Sequence, residues 1–439
     1  MAPRAFTLGR SLAPLLALAV LALPPGAPAQ DTQQRQAAIA AGYKAAFLCS
    51  GLFNAHRTVA QIDGDDLSRI YPEYRALIGA LPATVDTAAK TVSVAFSPDM
   101  PPRIAAWRPY LGCAQLPVGA PAAAIARRPL LDATPPPGDF DQRPWPMGDQ
   151  TVKAPTMTMG QFTQLSHVVS AAFDHKTYGE TSETAAVLIV KDGRIAAERY
   201  RDGFDLHTPL RTWSAAKSIT GTLVGIAVGR GLLAVDKPAP IPEWRTPGDP
   251  RAAITLGDLL HMGSGLDSEA RGNRTDAIYF GGAAVTEKAT AMALEAPPGK
   301  RWKYANDDTL LAVRSLRAAI GDDRRYLAFP FKELFWKIGM VHTTPETDWA
   351  GNYILSSQVW TTARDLARLG LLYQNGGLWN GERLLPAGWT DYVTTPAPAQ
   401  PDNAVTGNGP GYGAQFWLFA RGRACRPAST PPRAAAASS

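Results

Sequence analysis

Cysteine and histidine are scarce in this chain, at three and six among 439 residues. The histidines are scattered and include no His-x-x-x-His pair, so their spacing offers no metallohydrolase site. No serine stands in a G-x-S-x-G elbow, which removes the usual strand–turn–helix form of a Ser-His-Asp hydrolase. Dense basic blocks are also missing. Lys and Arg outnumber Asp and Glu by 44 to 38, but they are spread along the chain as a solvated surface, and no nucleic-acid partner is expected. Apolar runs long enough to cross a bilayer are absent as well. Leu12 to Leu23 is too short, and Ile219 to Val235 is interrupted by Arg230 and four glycines, which suits a buried soluble helix.

What is present at the N-terminus has the pattern of an export leader. Arg4 and Arg10 form a positive region, Leu12 to Leu23 an apolar core, and Ala27-Pro28-Ala29 a small-residue cleavage site. No cysteine follows that site, so a lipid anchor is not expected. The mature chain is expected in the periplasm or secreted, without a membrane span. An oxidising compartment then gives the cysteines a meaning. Cys49 ends a helical pattern and Cys113 follows a strand-like run. Two buried thiols remain possible there, but the compartment favours a Cys49–Cys113 disulfide.

Hydrophobic residues make up 46% of the chain, enough for a sizeable core. Five regions follow from the pattern: a leader over 1–29, an N-terminal α/β extension over 30–133, a Pro-rich linker over 134–156 lying extended on the next unit, a main domain over 157–419, and an atypical tail over 420–439. In the extension, Ile39, Tyr43, Ala46 and Phe47 fall at helical spacing, Asp65-Asp66 suit the start of a second short helix, and Lys90 to Phe96 alternates as a strand. The main domain opens with an amphipathic helix through Phe162, Leu165, Val169, Ala172 and Phe173. A hairpin turning at Lys191-Asp-Gly follows. Helical patterns then cover 256–262, 286–294, 307–320 and 326–338, and Thr362-Ala-Arg-Asp365 is a capping box. Strands, a mostly helical insert and a return toward strands describe an α+β fold.

The chain is organised around Arg211-Thr-Trp-Ser-Ala-Ala-Lys-Ser and the apolar helix it opens. Gly221, Gly225 and Gly229 recur every fourth residue, on one face where another backbone can approach closely. Ser214 is expected at the helix N-terminus, with Lys217 one turn on along the same face. Burial would push that lysine toward its neutral form, able to take the serine's proton, while backbone N–H groups at the helix start could hold an oxyanion. A lone S-x-x-K arises readily by chance and also fits a capped helix whose lysine reaches solvent. Context decides it.

The context begins with Tyr304 and Asn306, a Y-x-N pair in a loop before a helix expected to be capped by Asp307 or Asp308. The Tyr304 phenol could shuttle protons once a neighbouring cation lowers its pKa, and the Asn306 carbonyl could hold a substrate amide or the lysine. A rival match, Tyr373-Gln374-Asn375, sits at a helix end and is read as core and cap. His261 and Ser264 are read as a turn between helices.

With these motifs goes an ordered set: Ser214-Ala-Ala-Lys217, Asp258-Leu-Leu-His-Met-Gly-Ser-Gly-Leu266, Pro298-Gly before Tyr304-Ala-Asn306, Leu334-Phe-Trp-Lys-Ile-Gly-Met340, and Thr362-Ala-Arg-Asp365 with Asn375-Gly-Gly. Over about residues 160–419 the chain resembles serine hydrolases related to class C β-lactamases and penicillin-binding proteins, and looks most like their esterase and 6-aminohexanoate-oligomer hydrolase branches. The resemblance implies helices packed on an antiparallel sheet with the pocket between them. It implies Ser214 as nucleophile, Lys217 as its base, Tyr304 as acid/base and Asn306 as substrate contact. The substrate would be a small ester or amide, with no metal and no organic cofactor. A β-lactam-recognising enzyme of β-lactamase or D-Ala carboxypeptidase type, and an inactive binding homologue, stay open beside it. Such relatives carry a third motif, Lys or His shortly before Gly, on a late strand. Gly411 to Phe419 is expected to be the strand entering that region, whereas 420–439 has no Lys or His and three prolines. The final strands are therefore expected to be missing, and activity impaired.

Overall fold

The computed structural model describes residues 27–268 and 276–419. Residues 1–26 of the expected 1–29 leader and the expected atypical tail, with its missing strands, lie outside the described residues. The expected cleavage site falls at the start of helix α1, Ala27–Phe53. No described helix is long and apolar enough to cross a membrane.

Helix α1 is buried through Ile39, Tyr43, Phe47 and Cys49, with alanines between them that let neighbours approach. It packs on an antiparallel meander of β1 (Ala83–Asp86), β2 (Thr91–Val94), β3 (Arg103–Arg108) and β4 (Gly112–Gln115). Cys49 and Cys113 are joined in a disulfide between α1 and β4. Two short helices, α2 (Val59–Asp65) and α3 (Pro72–Ile78), complete the unit. Asp65 and Asp66 end α2, and Asp66 also stands at the N-cap of a single 3-10 turn, Leu67–Arg69, without a side-chain capping bond. Neither carboxylate caps a helix because the buried guanidinium of Arg57 takes both at 2.6 Å. Thr58 and Gln61 form the capping box that opens α2.

Segment 134–156 has no helix or strand of its own and is held by main-chain carbonyls. The buried Arg368 donates to Pro146 O at 2.6 Å and Gly148 O at 2.7 Å, and Arg364 donates to Asp149 O at 2.6 Å. Helix α4 (Met159–Ala171) forms behind a Thr158–Gln161 capping box, but its apolar stripe does not bury as expected. Val169 is buried, whereas Phe162 and Val168 remain exposed. Strands β5 (Ala186–Lys191) and β6 (Arg194–Tyr200) are joined through Asp192 and Gly193, both at positive φ, the geometry of a tight hairpin turn. Among the described residues they pair only with each other.

Strand β7 (Leu210–Arg211) leads into helix α5 (Ala216–Gly229). The next helices are α6 (Leu256–Leu260), α7 (Asp276–Phe280), α8 (Val285–Thr290), α9 (Asn306–Ile320), α10 (Asp323–Pro330) and α11 (Trp336–Ile338), the last two joined by a π-turn over 331–335. Strands β8 (Thr344–Pro345) and β9 (Val359–Thr361) make a three-stranded antiparallel sheet with β7, in the order β7-β9-β8. Helix α12 (Ala363–Gln374) is N-capped by Thr362, which accepts from Asp365 N at 3.2 Å. The box is only half made. The Asp365 carboxylate turns inward to Thr343, to His342 N and to Arg368. The result is an α+β fold.

The three α5 glycines do meet close neighbours, but the nearest atoms are side-chain atoms and not the backbone expected from sequence. A Cβ on Gly221 would lie 3.3 Å from the Gln415 Cβ, and one on Gly229 would lie 3.2 Å from Pro386 Cγ. At Gly225 a Cβ would meet the indole of Trp389, on α13 (Trp389–Thr394), at 2.4 Å. Gly225→Ala is therefore expected to destabilise the fold by about 1–3 kcal/mol in denaturant unfolding, despite alanine's better helix propensity. A gain in stability would show that the indole moves freely.

Gly411 to Phe419 is a hairpin and not the single strand expected from sequence: β10 (Gly411–Tyr412) pairs antiparallel with β11 (Trp417–Leu418). Gln415 makes the reversal at φ 66°, a conformation uncommon for a non-glycine residue. Its buried amide compensates by donating to Leu260 O at 2.9 Å and accepting from Thr309 Oγ1 at 2.8 Å.

Candidate active site

Ser214 lies in a short 3-10 turn, Trp213–Ala215, just ahead of α5. It does not cap the helix. The N-cap position belongs to Ala215, so no helical N–H occupies the Ser214 hydroxyl. Trp213 carries φ 48°, and a bulky residue held there beside a reactive group is a strained conformation that its surroundings must impose. They do so by stacking. The buried Arg211 guanidinium sits 4.0 Å from the Trp213 ring and 4.6 Å from the Phe47 ring of α1. Ala215 N–H turns back to Thr212 O at 3.2 Å, and Ala216 N–H to the Trp213 and Ser214 carbonyls, so these two amides are not aimed at an incoming oxyanion as the sequence suggested.

Lys217 is 1% exposed. Its Nζ lies 3.2 Å from Ser214 Oγ and donates to Asn306 Oδ1 at 2.7 Å and to Ser356 O at 2.8 Å. Burial lowers its pKa to about 7, with the Asp307 carboxylate opposing. A neutral amine has two N–H bonds and one lone pair. In that form Asn306 and Ser356 would take the two N–H groups and the lone pair would face the serine hydroxyl, whereas the ammonium donates to all three.

Packing of α5 against α9 sets Asn306 beside the lysine. Helix α9 begins at Asn306 with Ala305 as N-cap, so neither Asp307 nor Asp308 caps it; both are buried in its first turn. Burial raises Asp307 to about 6 and Asp308 to about 7, although Ser264 donates to Asp308 at 2.7 Å. Ser264 and His261 thus serve the turn after α6, His261 through Nδ1 to Gly257 O at 2.9 Å. Tyr373 is core, its hydroxyl 2.9 Å from Thr222 Oγ1, and Asn375 is the C-cap of α12.

Tyr304 closes the site from above. Its ring centroid is 5.0 Å from Lys217 Nζ. The lowered pKa expected beside a cation does not hold. Burial dominates and raises the phenol above its ordinary value of 10.0, against the hydrogen bonds to Ser214 and Trp417. Trp417 stacks on Tyr304 at 5.2 Å, and Trp302 and Tyr412 meet both rings within 6.3 Å, forming an aromatic wall. The structure thus brings Ser214, Lys217, Tyr304 and Asn306 together. Sequence reasoning missed Ser356, since a backbone carbonyl carries no side-chain signal, and missed the aromatic wall, whose members are separated along the chain.

A family model described as Beta-lactamase matches residues 169–434. A 6-aminohexanoate-dimer hydrolase from Paenarthrobacter ureafaciens is 26% identical over 238 residues, 49% of this chain and 58% of that protein. The chain thus spans less than two thirds of that relative's length. Among solved structures, a family VIII carboxylesterase is 16% identical with a TM-score of 0.46, covering 62% of this chain and 84% of that one. An octameric penicillin-binding protein homologue from Pyrococcus abyssi is 18% identical with a TM-score of 0.43, covering 60% and 65%. The family match takes in more than half of the chain, including the serine turn, the buried lysine and the Tyr304 loop, and on that match this protein belongs to the Beta-lactamase family.

Proposed function

We propose that this protein is an exported serine hydrolase that forms an acyl-enzyme on Ser214 with small ester or amide substrates. The observation that carries the reading is the Lys217 amine, desolvated and held by two acceptors within 3.2 Å of the serine hydroxyl. In this reading residues 157–419 are the hydrolase domain, 30–133 its extension and 134–156 the segment joining them.

The proposed chemistry follows from the protonation states. Ser214 Oγ attacks the substrate carbonyl carbon while its proton passes to Lys217 Nζ. Tyr304, kept protonated at neutral pH, acts as an acid: its phenol donates toward the leaving group's oxygen or nitrogen as the tetrahedral intermediate collapses. The Lys217 ammonium then returns its proton to the Tyr304 phenolate. Water attacks the acyl carbon as the neutral Lys217 takes its proton, and that proton passes to Ser214 Oγ as the acid product leaves. Asn306 orients the lysine through its carbonyl, and its substrate contact is proposed for the amide nitrogen. The relative named a 6-aminohexanoate-dimer hydrolase supports a hydrolase as the reading.

Labelling the purified protein with a fluorophosphonate and, separately, with a fluorescent penicillin tests this. Labelling by the first alone is expected, and marks an esterase or amidase. Labelling by both would move the assignment to a β-lactam-recognising enzyme, and labelling by neither would leave a binding homologue.

A further inference from the structure

Outside the four residues of the serine site, two histidines and two aspartates meet in space. Asp141 and Asp149 come from the 134–156 segment, His207 precedes β7, and His342 precedes β8. One ligand atom from each lies within 4.8 Å of all the others. The four nitrogen-to-oxygen separations are 2.8 Å (His342 Nε2 to Asp141 Oδ1), 3.2 Å (His207 Nε2 to Asp149 Oδ2), 3.5 Å (His342 Nε2 to Asp149 Oδ2) and 3.7 Å (His207 Nε2 to Asp141 Oδ2). Around a tetrahedral zinc with ligand bonds of about 2.0 Å, neighbouring donor atoms stand about 3.3 Å apart. The observed separations bracket that edge.

Hydrogen bonding alone accounts for the cluster less well. Each Nε2 carries at most one proton, so the two imidazoles can satisfy only two of the four contacts at a time. A divalent cation satisfies all four donors together. The donors are also oriented from behind, as metal ligands usually are. Arg368 takes Asp149 Oδ1 at 2.6 Å and leaves Oδ2 facing the imidazoles, and the backbone N–H of His342 is anchored on Asp365 Oδ2 at 3.0 Å, which fixes the main chain that carries the ring. Asp149 is buried, with 4% side-chain exposure, whereas His207 at 43% leaves a route in from solvent.

We propose that Asp141, Asp149, His207 and His342 form a structural site for a divalent transition metal of the zinc type, which fastens the 134–156 segment to the β7-β9-β8 sheet. Two imidazole nitrogens with two carboxylate oxygens suit Zn2+ better than Mg2+ or Ca2+, which prefer all-oxygen shells. The site lies on the sheet that positions the serine turn: Thr212 N, just after β7, donates to Val359 O of β9 at 2.9 Å. It is independent of the chemistry assigned to Ser214. Histidine spacing in the sequence could not show it, because the ligands come from three separate segments.

The test uses the untagged full-length chain, stripped with chelator and titrated with Zn2+ by calorimetry, with bound metal counted by elemental mass spectrometry. One Zn2+ per chain is expected, together with a higher thermal midpoint in zinc. In the Asp141→Ala/His207→Ala double variant, affinity should fall by at least about 100-fold and the midpoint should no longer respond, since loss of outer-shell partners alone costs 10- to 100-fold. Both replaced side chains are partly exposed, so the variant should retain the wild-type circular dichroism. Co2+ in the wild type should also show the intense visible bands of a tetrahedral site. No binding to wild type at about 100 μM free Zn2+, or equal binding by the double variant, would overturn the proposal.

Discussion

Lys217→Met is expected to abolish turnover as completely as Ser214→Ala, by at least about 10,000-fold each, with no further loss in the double variant. The two side chains form one unit, since the hydroxyl without its base and the base without its hydroxyl are equally idle. The geometry gives the pH dependence as well. In the proposed mechanism Lys217 acts as the neutral amine, and burial brings its pKa to about 7. Acylation should accordingly rise with pH through about 7 and then level, because deprotonation creates the base. Measuring kcat/KM across that range checks it. If Lys217→Met kept near-normal turnover, Tyr304 would be the base, and the profile would climb toward the phenol's raised pKa.

The same lysine has a stability signature. Its folded pKa of about 7 lies below its ordinary value of 10.5, so between these values the unfolded chain holds more protons than the folded one. Its contribution to stability therefore rises with pH across that window. The methionine variant should lose that rise, which denaturant unfolding at neutral and alkaline pH can measure. The serine variant should keep it while also being inactive, so the two losses are separable.

Local features of this fold were legible where one helical turn or one strand set the geometry. Ser214 and Lys217 are a turn apart, and the glycines of α5 share a face, because helix periodicity requires both. The hairpin at Asp192-Gly193 followed from turn chemistry. Features that depended on a distant partner were not legible. Asp65 and Asp66 answer to the buried Arg57, and the Asp365 carboxylate answers to Thr343 and Arg368 instead of the Thr362 backbone. The sign of the Tyr304 shift depends on how deeply neighbours such as Trp417 bury it, and that stacking exists only because Gln415 reverses the chain. Phe47 shows the same limit. Helical spacing marks it as core, but nothing in the spacing places it against Arg211, under the serine turn.

Replacing Cys49 and Cys113 together by serine is expected to cost about 4 kcal/mol of unfolding free energy, because the disulfide closes a loop spanning a sequence separation of 64. That loop contains α2, α3 and β1 to β3, so the unfolded chain gains most of the extension's freedom when the link is lost. The effect should also reach the sheet beside the site. Glu346, directly after β8, is fully buried, and burial raises its pKa. One of its oxygens, Oε1, accepts from Ser50 Oγ at 2.6 Å, Asn54 Nδ2 at 2.8 Å and Cys113 N at 3.0 Å. Those donors flank the two disulfide positions. Loosening α1 from β4 would strand a buried carboxylate and relax the Phe47–Arg211–Trp213 stack next to Ser214. The double serine variant should therefore show a lower denaturation midpoint, and its fluorophosphonate labelling should fail at a lower temperature than in wild type. Mass spectrometry of an unreduced digest should find the two cysteine peptides linked in exported protein. Freely alkylated thiols there, or a variant within about 1 kcal/mol of wild type, would show that the link contributes little to this fold.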